Sequence, residues 1–425
     1  MIARDEYIEK FKKAMWDGNI KVITGIRRCG KSTLLFDLFY HYLVSIGVNE
    51  DNIIKIQLDE DNFFQYRNPI LLSRFLKTLI GSKEKEKNYI FIDEIQLSVP
   101  KTDRKSGIKV SVFDILNGLN NKQNVDVYVT GSNSKMLSKD ILTEFRGRTT
   151  QIKIHPFSFK EFLAYCGKEA DKALNEYLLM GGMPELIHKN DENDKKQYLI
   201  DLFNKTYIKD IVERHHIARE DVLGGVLDYF ASQISSLTNI NNVVNALSTK
   251  RNEKINHEMI SNYTTYAIDA FLISEAKRFD IKGKVYFDYP SKYYFEDVGL
   301  RNARLNFRQL DMGHLMENII YNELIRRGYL VDVGAVLFRG GDCKNGNYLE
   351  IDFVVNNLDQ KIYIQSALEI NNPTKAISEI KPFNLTHDNF RKIIIRKDIV
   401  NSFYDENGIF NCRLIDFLLD RVNIF

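Results

Sequence analysis

The segment GIRRCGKS at residues 25–32 constrains the fold more than any other part of the sequence. A β-branched run, KVIT, precedes it and an apolar periodic stretch follows it, which predicts a strand, a glycine loop and a helix. In such a loop, glycines let backbone N–H groups surround phosphate groups at the helix N-terminus. Lys31 adds a positive charge for the β- and γ-phosphates, and the Ser32 hydroxyl is a Mg²⁺ ligand. The predicted phosphate-binding residues are Gly25, Ile26, Arg27, Arg28, Cys29, Gly30, Lys31, Ser32 and Thr33.

A second strand, YIFIDEIQ, ends in two adjacent carboxylates, Asp93 and Glu94. We expect Asp93 to hold Mg²⁺ through water and Glu94 to act as the general base that polarises the attacking water. A further apolar strand, NIIKIQLD, lies between the two motifs in the chain, and VDVYVTGSN follows them. That order, with only a near miss to the NKxD guanine-binding motif, favours ATP over GTP. ATP and Mg²⁺ are therefore the predicted cofactors.

The polar end of VDVYVTGSN supplies candidates for a further contact to the nucleotide. Thr130, Ser132 or Asn133 is predicted to lie between the phosphate loop and the carboxylate pair, and we favour Asn133 and Ser132. Downstream, Arg146 and Arg148 in EFRGR are candidates for a cationic contact to the transition-state phosphate, and solvated surface arginines are an equally good interpretation. The predicted catalytic set is Glu94, Lys31, Asn133 and Arg148.

Composition limits the class of protein. With 425 residues, of which 44% are hydrophobic and 27% charged, the chain has the balance of a globular protein of about two to four domains. The formal net charge is only +2, so contact with nucleic acid would depend on local basic patches. The four cysteines have no CxxC spacing, and no apolar run approaches about 18 residues. We therefore predict a cytoplasmic protein without a signal peptide or a membrane span.

Six segments carry a family resemblance: GIRRCGKSTLL, YIFIDEIQ, VTGSNSKML, EFRGR, HPFSFKEFL and YLLMGGMPELI. In this order they resemble the bacterial and archaeal AAA-type P-loop ATPases that carry a C-terminal domain of unknown function 4143. The resemblance covers essentially the whole chain. It implies an N-terminal ATPase domain with an ASCE/AAA-like parallel sheet, with Lys31, Ser32, Asp93 and Glu94 at its functional positions. It implies little about the biological role.

The middle of the chain is predicted to be helical and to contain a winged helix-turn-helix. Three apolar periodic segments from about residue 221 are followed by two apolar strands that end near residue 297. The third helix would present Asn256 and His257 near its start, and Lys282 and Lys284 around the wing would meet phosphates. Because the charges here are mixed, packing against a neighbouring domain is at least as good an interpretation as DNA binding.

The C-terminal region predicts a helix, a strand and then a β-hairpin, NYLEIDFVVNNLDQKIYIQSALEI. This order resembles a PD-(D/E)xK nuclease fold, in which a helix Glu, a strand Asp and an ExK on the next strand form one Mg²⁺ site. Glu317 and Asp352 match the pattern, but Gln365 replaces the Glu and Ala367 replaces the Lys. We therefore expect a degenerate fold without nuclease activity. The side chains that could restore a ligand or a charge are Glu369, Lys375 and Lys381.

The sequence thus predicts an α/β protein of four domains. They are a P-loop ATPase at 1–165, a helical lid or linker at 166–220, a winged-helix-like domain at 221–300 and a nuclease-like α/β domain at 301–425. The predicted function is ATP binding and hydrolysis that drives a switch on a nucleic-acid or protein partner. The alternatives are an ATP-dependent nuclease that uses Glu317 and Asp352, and a nucleotide-sensing DNA-binding regulator. DNA or RNA would bind through the winged-helix region, no membrane contact is expected, and oligomer formation is left open.

Overall fold

The fold is given by a computed structural model. The structure describes residues 2–81, 86–103, 106–131, 145, 147–288, 290–338 and 347–425. The chain divides into two compact units. The first unit contains Met1–Pro156 and Asp269–Phe271, and the second contains Phe157–Ile268 and Leu272–Phe425.

A five-stranded parallel sheet forms the centre of the first unit, in the order β2-β3-β6-β1-β7. The strands of this unit are β1 Ile20–Thr24, β2 Ile53–Gln57, β3 Asn88–Asp93, β4 Lys101–Thr102, β5 Lys109–Val110, β6 Val125–Thr130 and β7 Thr149–Lys153. Strands β1, β3 and β6 are buried along their whole length. Continuous apolar runs are typical of parallel strands covered on both faces, which explains why these segments lack alternation. The predicted N-terminal parallel sheet is confirmed.

Helices cover the faces of this sheet. They are α1 Asp5–Ala14, α2 Lys31–Thr33, α3 Tyr40–Ser45, α4 Pro69–Gly81 and α5 Val112–Asn120. A π-helical stretch, Leu34–Phe39, joins α2 to α3, and short 3₁₀ turns occupy Glu50–Asn52, Asp61–Arg67 and Ile95–Leu97. Under α4 and α5 the core is aliphatic, whereas the rings of Phe11, Phe39, Phe91 and Tyr128 pack together on the other side.

The second unit starts with a long helical region. The helices of the whole second unit are α6 Phe159–Cys166, α7 Ala170–Met180, α8 Glu192–Asp201, α9 Lys209–His215, α10 Glu220–Ser232, α11 Ile240–Arg251, α12 His257–Asp269, α13 Val298–Arg304, α14 Met312–Arg326, α15 Pro373–Asn384 and α16 Leu414–Leu418. A 3₁₀ turn occupies Pro184–His188, and a π-helical stretch, Leu202–Ile208, joins α8 to α9. The predicted glycine break ends α7: Gly181 has φ +72°, and a Cβ on Gly182 would lie 2.2 Å from the Phe157 carbonyl oxygen.

An eight-stranded mixed sheet forms the other half of this unit, in the order β10-β9-β12-β13-β14-β15-β17-β16. The strands are β8 Ile273–Ala276, β9 Arg278–Asp280, β10 Val285–Tyr286, β11 Lys292–Phe295, β12 Leu330–Phe338, β13 Asn347–Asn357, β14 Gln360–Ala367, β15 Arg391–Arg396, β16 Phe403–Tyr404 and β17 Phe410–Arg413. Strands β13 and β14 pair antiparallel from Phe353↔Ile364 to Asn357↔Gln360, so the predicted hairpin is confirmed.

The strands expected to form the wing have different partners from those predicted. The three helices before them are present as α10, α11 and α12, but β10 and β11 do not pair with each other. Strand β11 pairs antiparallel with β8, and an isolated bridge joins Thr238 to Ser291. Strand β10 pairs with β9, and β9 pairs parallel with β12 of the large sheet. The chain between β8 and β11 is therefore part of the C-terminal sheet.

Candidate nucleotide site and a second carboxylate cluster

The phosphate loop starts directly after β1. Gly25 has φ +146°, and a Cβ there would lie 2.1 Å from the Ile154 carbonyl oxygen and 3.1 Å from the Cys29 Sγ atom, so only glycine fits. Gly30 has φ +94° and is the N-cap of the helix that starts at Lys31, with no side chain capping that end. The first N–H groups of a helix lack intrahelical acceptors and carry the positive end of the helix dipole. The loop can therefore receive an anion.

Lys31 lies inside this loop. Its side chain is 5% exposed, and its ammonium donates hydrogen bonds to the carbonyl oxygens of Gly25 at 3.0 Å and Ile26 at 3.1 Å. Both acceptors are neutral backbone groups of the loop itself. Phosphate oxygens carry full negative charge and would compete well for the same N–H donors. The ammonium is therefore held where it can exchange loop carbonyls for a phosphate.

The carboxylate pair lies at the carboxyl end of β3. Asp93 is the last residue of the strand and is 2% exposed, while Glu94 has φ +52°, a left-handed conformation that turns the chain. The Thr130 hydroxyl, at the end of the neighbouring strand β6, donates to an Asp93 carboxylate oxygen and accepts a hydrogen bond from the Glu94 backbone N–H at 3.2 Å. Thr130 thus links both acidic residues to β6, the strand next to β1 in the sheet.

The environment of Glu94 is that of a base. Burial raises the pKa of its carboxyl above the usual value, the nearby Lys31 ammonium opposes this, and the Asp93 carboxylate adds to it. The Gln96 side-chain amide donates a hydrogen bond to the Glu94 carboxylate. A partly buried carboxylate with a raised pKa accepts a proton more readily than a solvated one, which is the property that a general base needs.

Other predicted site residues lie in different places. Ser132, Asn133 and Arg146 are outside the described residues. Arg148 is not brought to the loop: its carbonyl accepts a hydrogen bond from the N–H of Ile20, the first residue of β1, and its guanidinium donates to the Asn121 side chain at 2.9 Å. Because the phosphate loop follows the last residue of β1, Arg148 lies at the opposite edge of the sheet. A contact from Arg148 to the transition-state phosphate in the loop of the same chain does not fit this position.

The three remaining residues of the phosphate loop differ in how far they are buried. Arg27 and Arg28 are exposed, and Arg28 has φ +61°. Cys29 is fully buried, with its Sγ 3.4 Å from the Ile154 carbonyl and its own carbonyl accepting from Arg4 at 3.1 Å. The Cys29 side chain therefore packs under the loop, as a small buried apolar group does.

The second unit contains a cluster of carboxylates that surround one ammonium group. Lys292 of β11 lies with its Nζ atom 2.7 Å from a Glu317 oxygen, 2.6 Å from a Glu350 oxygen and 3.2 Å from an Asp352 oxygen. The Tyr294 hydroxyl donates to the same Glu317 oxygen at 2.8 Å. We call these four charged residues the Lys292 cluster. Glu317 comes from α14, and the other two carboxylates come from β13.

The hairpin holds this cluster in position. The register between β12 and β13 shifts by one residue where Asp352 and Phe353 lie opposite Val333, which is a β-bulge. The Gln365 side-chain oxygen accepts the Asp352 N–H at 2.8 Å, and the Ser366 N–H donates to the Asp352 carboxylate at 2.8 Å. Gln365, one of the two residues that break the nuclease pattern, therefore positions Asp352 through its backbone.

Two of the side chains expected to restore the nuclease pattern have other contacts. Glu369 is exposed and accepts a hydrogen bond from Asn371, and the Lys381 ammonium lies 4.0 Å from the centre of the Phe338 ring. Lys292 was missed because it lies outside the hairpin, 25 residues before Glu317 in the chain. Within the part of the chain that the structure describes, no group of three or more His, Cys, Asp or Glu side chains is arranged to hold a metal ion.

The predicted nucleic-acid surface is mixed in charge. Lys282 and Lys284 are exposed in the turn between β9 and β10, where the Asp280 carboxylate accepts the Lys282 N–H at 3.0 Å. Beside α11 and α12, Arg251 pairs with Asp221, and the latter also pairs with Arg219. Much of the positive charge near the third helix is therefore neutralised within the unit.

Comparison with known proteins places this chain in a family. It is 32% identical to an uncharacterized protein of Haemophilus influenzae over 429 residues, which cover 99% of both chains. It belongs to the same family. The uncharacterized protein MJ1544 of Methanocaldococcus jannaschii is 34% identical over 86% of this chain and 78% of its own length. Residues 17–163 match the family described as an AAA domain, so the first unit contains the predicted AAA-type P-loop ATPase domain.

The rest of the chain is matched only in part. Residues 171–311 match a domain of unknown function, DUF8612, so the predicted domain of unknown function 4143 is not confirmed. Among solved structures, the Walker-type ATPase PABY2304 of Pyrococcus abyssi is 14% identical and aligns over 72% of this chain and 96% of its own, with a TM-score of 0.47. Among the described helices, none is both long and apolar enough to cross a membrane.

Proposed function

We propose that the first unit binds ATP with Mg²⁺ and hydrolyses it, and that the nucleotide state acts as a switch on a nucleic-acid or protein partner. The observation that carries the hydrolytic part is the Thr130 hydroxyl, which contacts Asp93 and Glu94 together. Strand β6 lies between β1 and β3 in the sheet. The phosphate loop and the carboxylate pair therefore stand on either side of one polar side chain, at one edge of the sheet.

Each residue has a distinct role in the proposed reaction. The glycine loop would bind the phosphates through backbone N–H groups, and Lys31 would contact the β- and γ-phosphate oxygens. Ser32 and the buried Asp93 carboxylate fit Mg²⁺, which would neutralise charge on the same oxygens when bound. Glu94 would accept the proton of the attacking water, since burial raises the pKa of its carboxyl.

Substitution of the proposed base tests this function. Glu94→Gln keeps the shape and the hydrogen bonding of the side chain but cannot accept a proton at neutral pH. We expect kcat to fall about 100-fold or more, with ATP affinity little changed. Glu60→Gln, at an exposed position of the same unit, is the matched control and should keep the wild-type rate. A wild-type rate in Glu94→Gln would show that the base is a different group.

The exposed turn of the β9–β10 hairpin supports a nucleic acid as the partner of the switch. Lys282 and Lys284 lie close together in its turn and could meet a phosphate backbone. ATP turnover measured with and without DNA or RNA, at low and moderate salt, tests this. If nucleic acid stimulates turnover, the Lys282→Ala/Lys284→Ala protein should lose stimulation, whereas Lys77→Ala/Lys122→Ala, with two exposed lysines of the first unit, should keep it. Unchanged turnover and no binding at low salt would leave a protein as the proposed partner.

A further inference from the structure

The Lys292 cluster has an unusual distribution of charge for a buried site. The Lys292 side chain is 3% exposed. The three carboxylates that contact its ammonium come from two elements other than its own strand. An ammonium has three N–H donors and no acceptor. Here each donor has one carboxylate oxygen within 3.2 Å. The donor capacity of the lysine is therefore fully used by the carboxylates.

We propose that Lys292 is a built-in cation: its ammonium occupies the place among Glu317, Glu350 and Asp352 that a divalent metal ion takes in carboxylate clusters of this kind. The carboxylates converge on one point and are held there by β13, α14 and the bulge at Asp352. In the nuclease pattern the lysine would stand at position 367 beside a metal ion. Here it arrives from β11 and lies at the point of convergence itself.

The surrounding charges fit a cluster that is complete without a metal ion. Burial disfavours the charged form of Lys292, but the carboxylates outweigh it and hold its pKa well above the usual value. Burial raises the pKa of Glu317 to about 8, and the Lys292 ammonium opposes this effect. Burial also raises the pKa of the Glu350 carboxyl, and Lys292 and, to a smaller extent, Arg278 oppose this effect. The ammonium is therefore held in its charged form at the centre of the cluster.

Helix α15 packs against β13 and brings two further charged side chains near the cluster. On α15, burial raises the pKa of the Glu379 carboxyl, the nearby Asp352 carboxylate adds to this effect, and Lys375 opposes it. These two charges form a pair of opposite sign at the rim. Gln365 on β14 is neutral and already accepts the Asp352 N–H. The cluster therefore has one central cation, and that cation is covalently part of the chain.

Removal of the ammonium tests the proposal. Lys292→Met keeps the length of the side chain and leaves the carboxylates without their cation. We expect the full-length variant, without nucleotide, to bind about one more Mn²⁺ per chain than the wild type by electron paramagnetic resonance. Its Tm should fall by about 10 °C and recover when Mn²⁺ is added. The wild-type Tm should not respond to Mn²⁺ through this cluster.

Matched variants make the outcome specific. The double variant Lys292→Met/Asp352→Asn should lose the added Mn²⁺. Lys361 of β14, whose ammonium lies 5.5 Å from the Phe279 ring centre, is the control, and Lys361→Met should gain no Mn²⁺. A folded Lys292→Met protein that binds no added Mn²⁺ would overturn the proposal. If this variant does not fold, the wild type decides: Mn²⁺ binding that Asp352→Asn removes would overturn the proposal, and the absence of such binding would support it.

Discussion

Two buried lysines in this chain show how the partners of a charged group decide what a site can do. Lys31 donates to two neutral carbonyls of its own loop, at 3.0 and 3.1 Å. Lys292 donates to three carboxylates, at 2.6 to 3.2 Å. A phosphate can displace neutral acceptors, because charge-assisted hydrogen bonds are stronger than neutral ones. It cannot displace carboxylates without leaving buried negative charge unpaired. The first site is open to a ligand, and the second is closed.

Substitution of each lysine should affect a different property: ATP affinity for Lys31 and thermal stability for Lys292. Lys31→Ala removes about two charge-assisted contacts to phosphate, roughly 4 kcal/mol, so ATP affinity should fall about 1,000-fold with little change in Tm. Lys292→Met should lower Tm and leave ATP affinity unchanged, because its carboxylates belong to the second unit. Titration calorimetry and thermal unfolding of both proteins measure the contrast. A large loss of ATP affinity in Lys292→Met would contradict the distinction between an open and a closed site.

The open site depends on close backbone approach. Gly25→Ala would place a Cβ 2.1 Å from the Ile154 carbonyl oxygen, so we expect a loss of about 3 kcal/mol in the free energy of unfolding, together with loss of ATP binding. Gly118 is an exposed residue in the middle of α5, and a Cβ there would meet no atom within 4 Å. Gly118→Ala should therefore be neutral or stabilising by up to about 1 kcal/mol. Fluorescence of Trp16, the single tryptophan of the chain, reports unfolding of the first unit. Equal effects of the two substitutions would contradict this explanation.

The buried Asp297 carboxylate is bound by backbone N–H groups, and it sharpens the comparison with the Lys292 cluster. Asp297 accepts the N–H groups of Gly182 at 2.7 Å and Leu300 at 3.0 Å, and burial raises its pKa to about 6. The folded protein therefore holds this proton more tightly than the unfolded chain does. The resulting stabilisation is complete below pH about 4 and is lost as the pH rises through about 6, a change of about 3 kcal/mol.

Denaturant unfolding between pH 4 and 7 measures this effect. The free energy of unfolding of the wild type should fall over that range by about 3 kcal/mol more than that of Asp297→Asn, which does not titrate there. Asn also replaces one carboxylate acceptor by a donor, so the variant should be less stable at pH 4. Identical pH profiles for the two proteins would show that Asp297 does not titrate in this range.

The smallest effect is expected at the residue between the loop and the carboxylates. Thr130→Val removes the hydroxyl that contacts Asp93 and Glu94 and keeps the volume of the side chain. We expect kcat to fall about 10-fold to 100-fold with ATP affinity unchanged, because the hydroxyl orients groups that act on the substrate. Thr130→Ser retains the hydroxyl and should stay close to wild type. Equal rates for Val and Ser would assign Thr130 to packing alone.

Local sequence was sufficient for the first site and insufficient for the second. The phosphate loop, β3 and the β13–β14 hairpin each depend on residues close together in the chain, so spacing and alternation predict them. Lys292 reaches its carboxylates only through tertiary folding, across 25 to 60 residues. The pairing of β10 with β11 was predicted wrongly for a similar reason, since the two-residue strand β10 is defined by its pairing with β9 rather than by its own pattern.

The position of Arg148 could have been inferred from the sequence. The run TTQIKI after it reads as a strand, and a residue that precedes a parallel strand lies at the amino edge of the sheet. The phosphate loop follows the carboxyl end of its strand. Strand polarity likewise places Thr130, the last residue of β6, at the carboxyl edge of the sheet, where the phosphate loop begins. Strand polarity decides both cases.

The pairing of β9 with β12 and the position of Lys292 affect how this chain can be divided. A fragment that ends at residue 300 would keep the lysine and lose every carboxylate that surrounds it. It would also expose the edge of β9 that pairs with β12. A fragment that begins there would keep three clustered carboxylates without their ammonium. We therefore expect neither the helical part nor the C-terminal sheet of the second unit to fold when it is expressed alone.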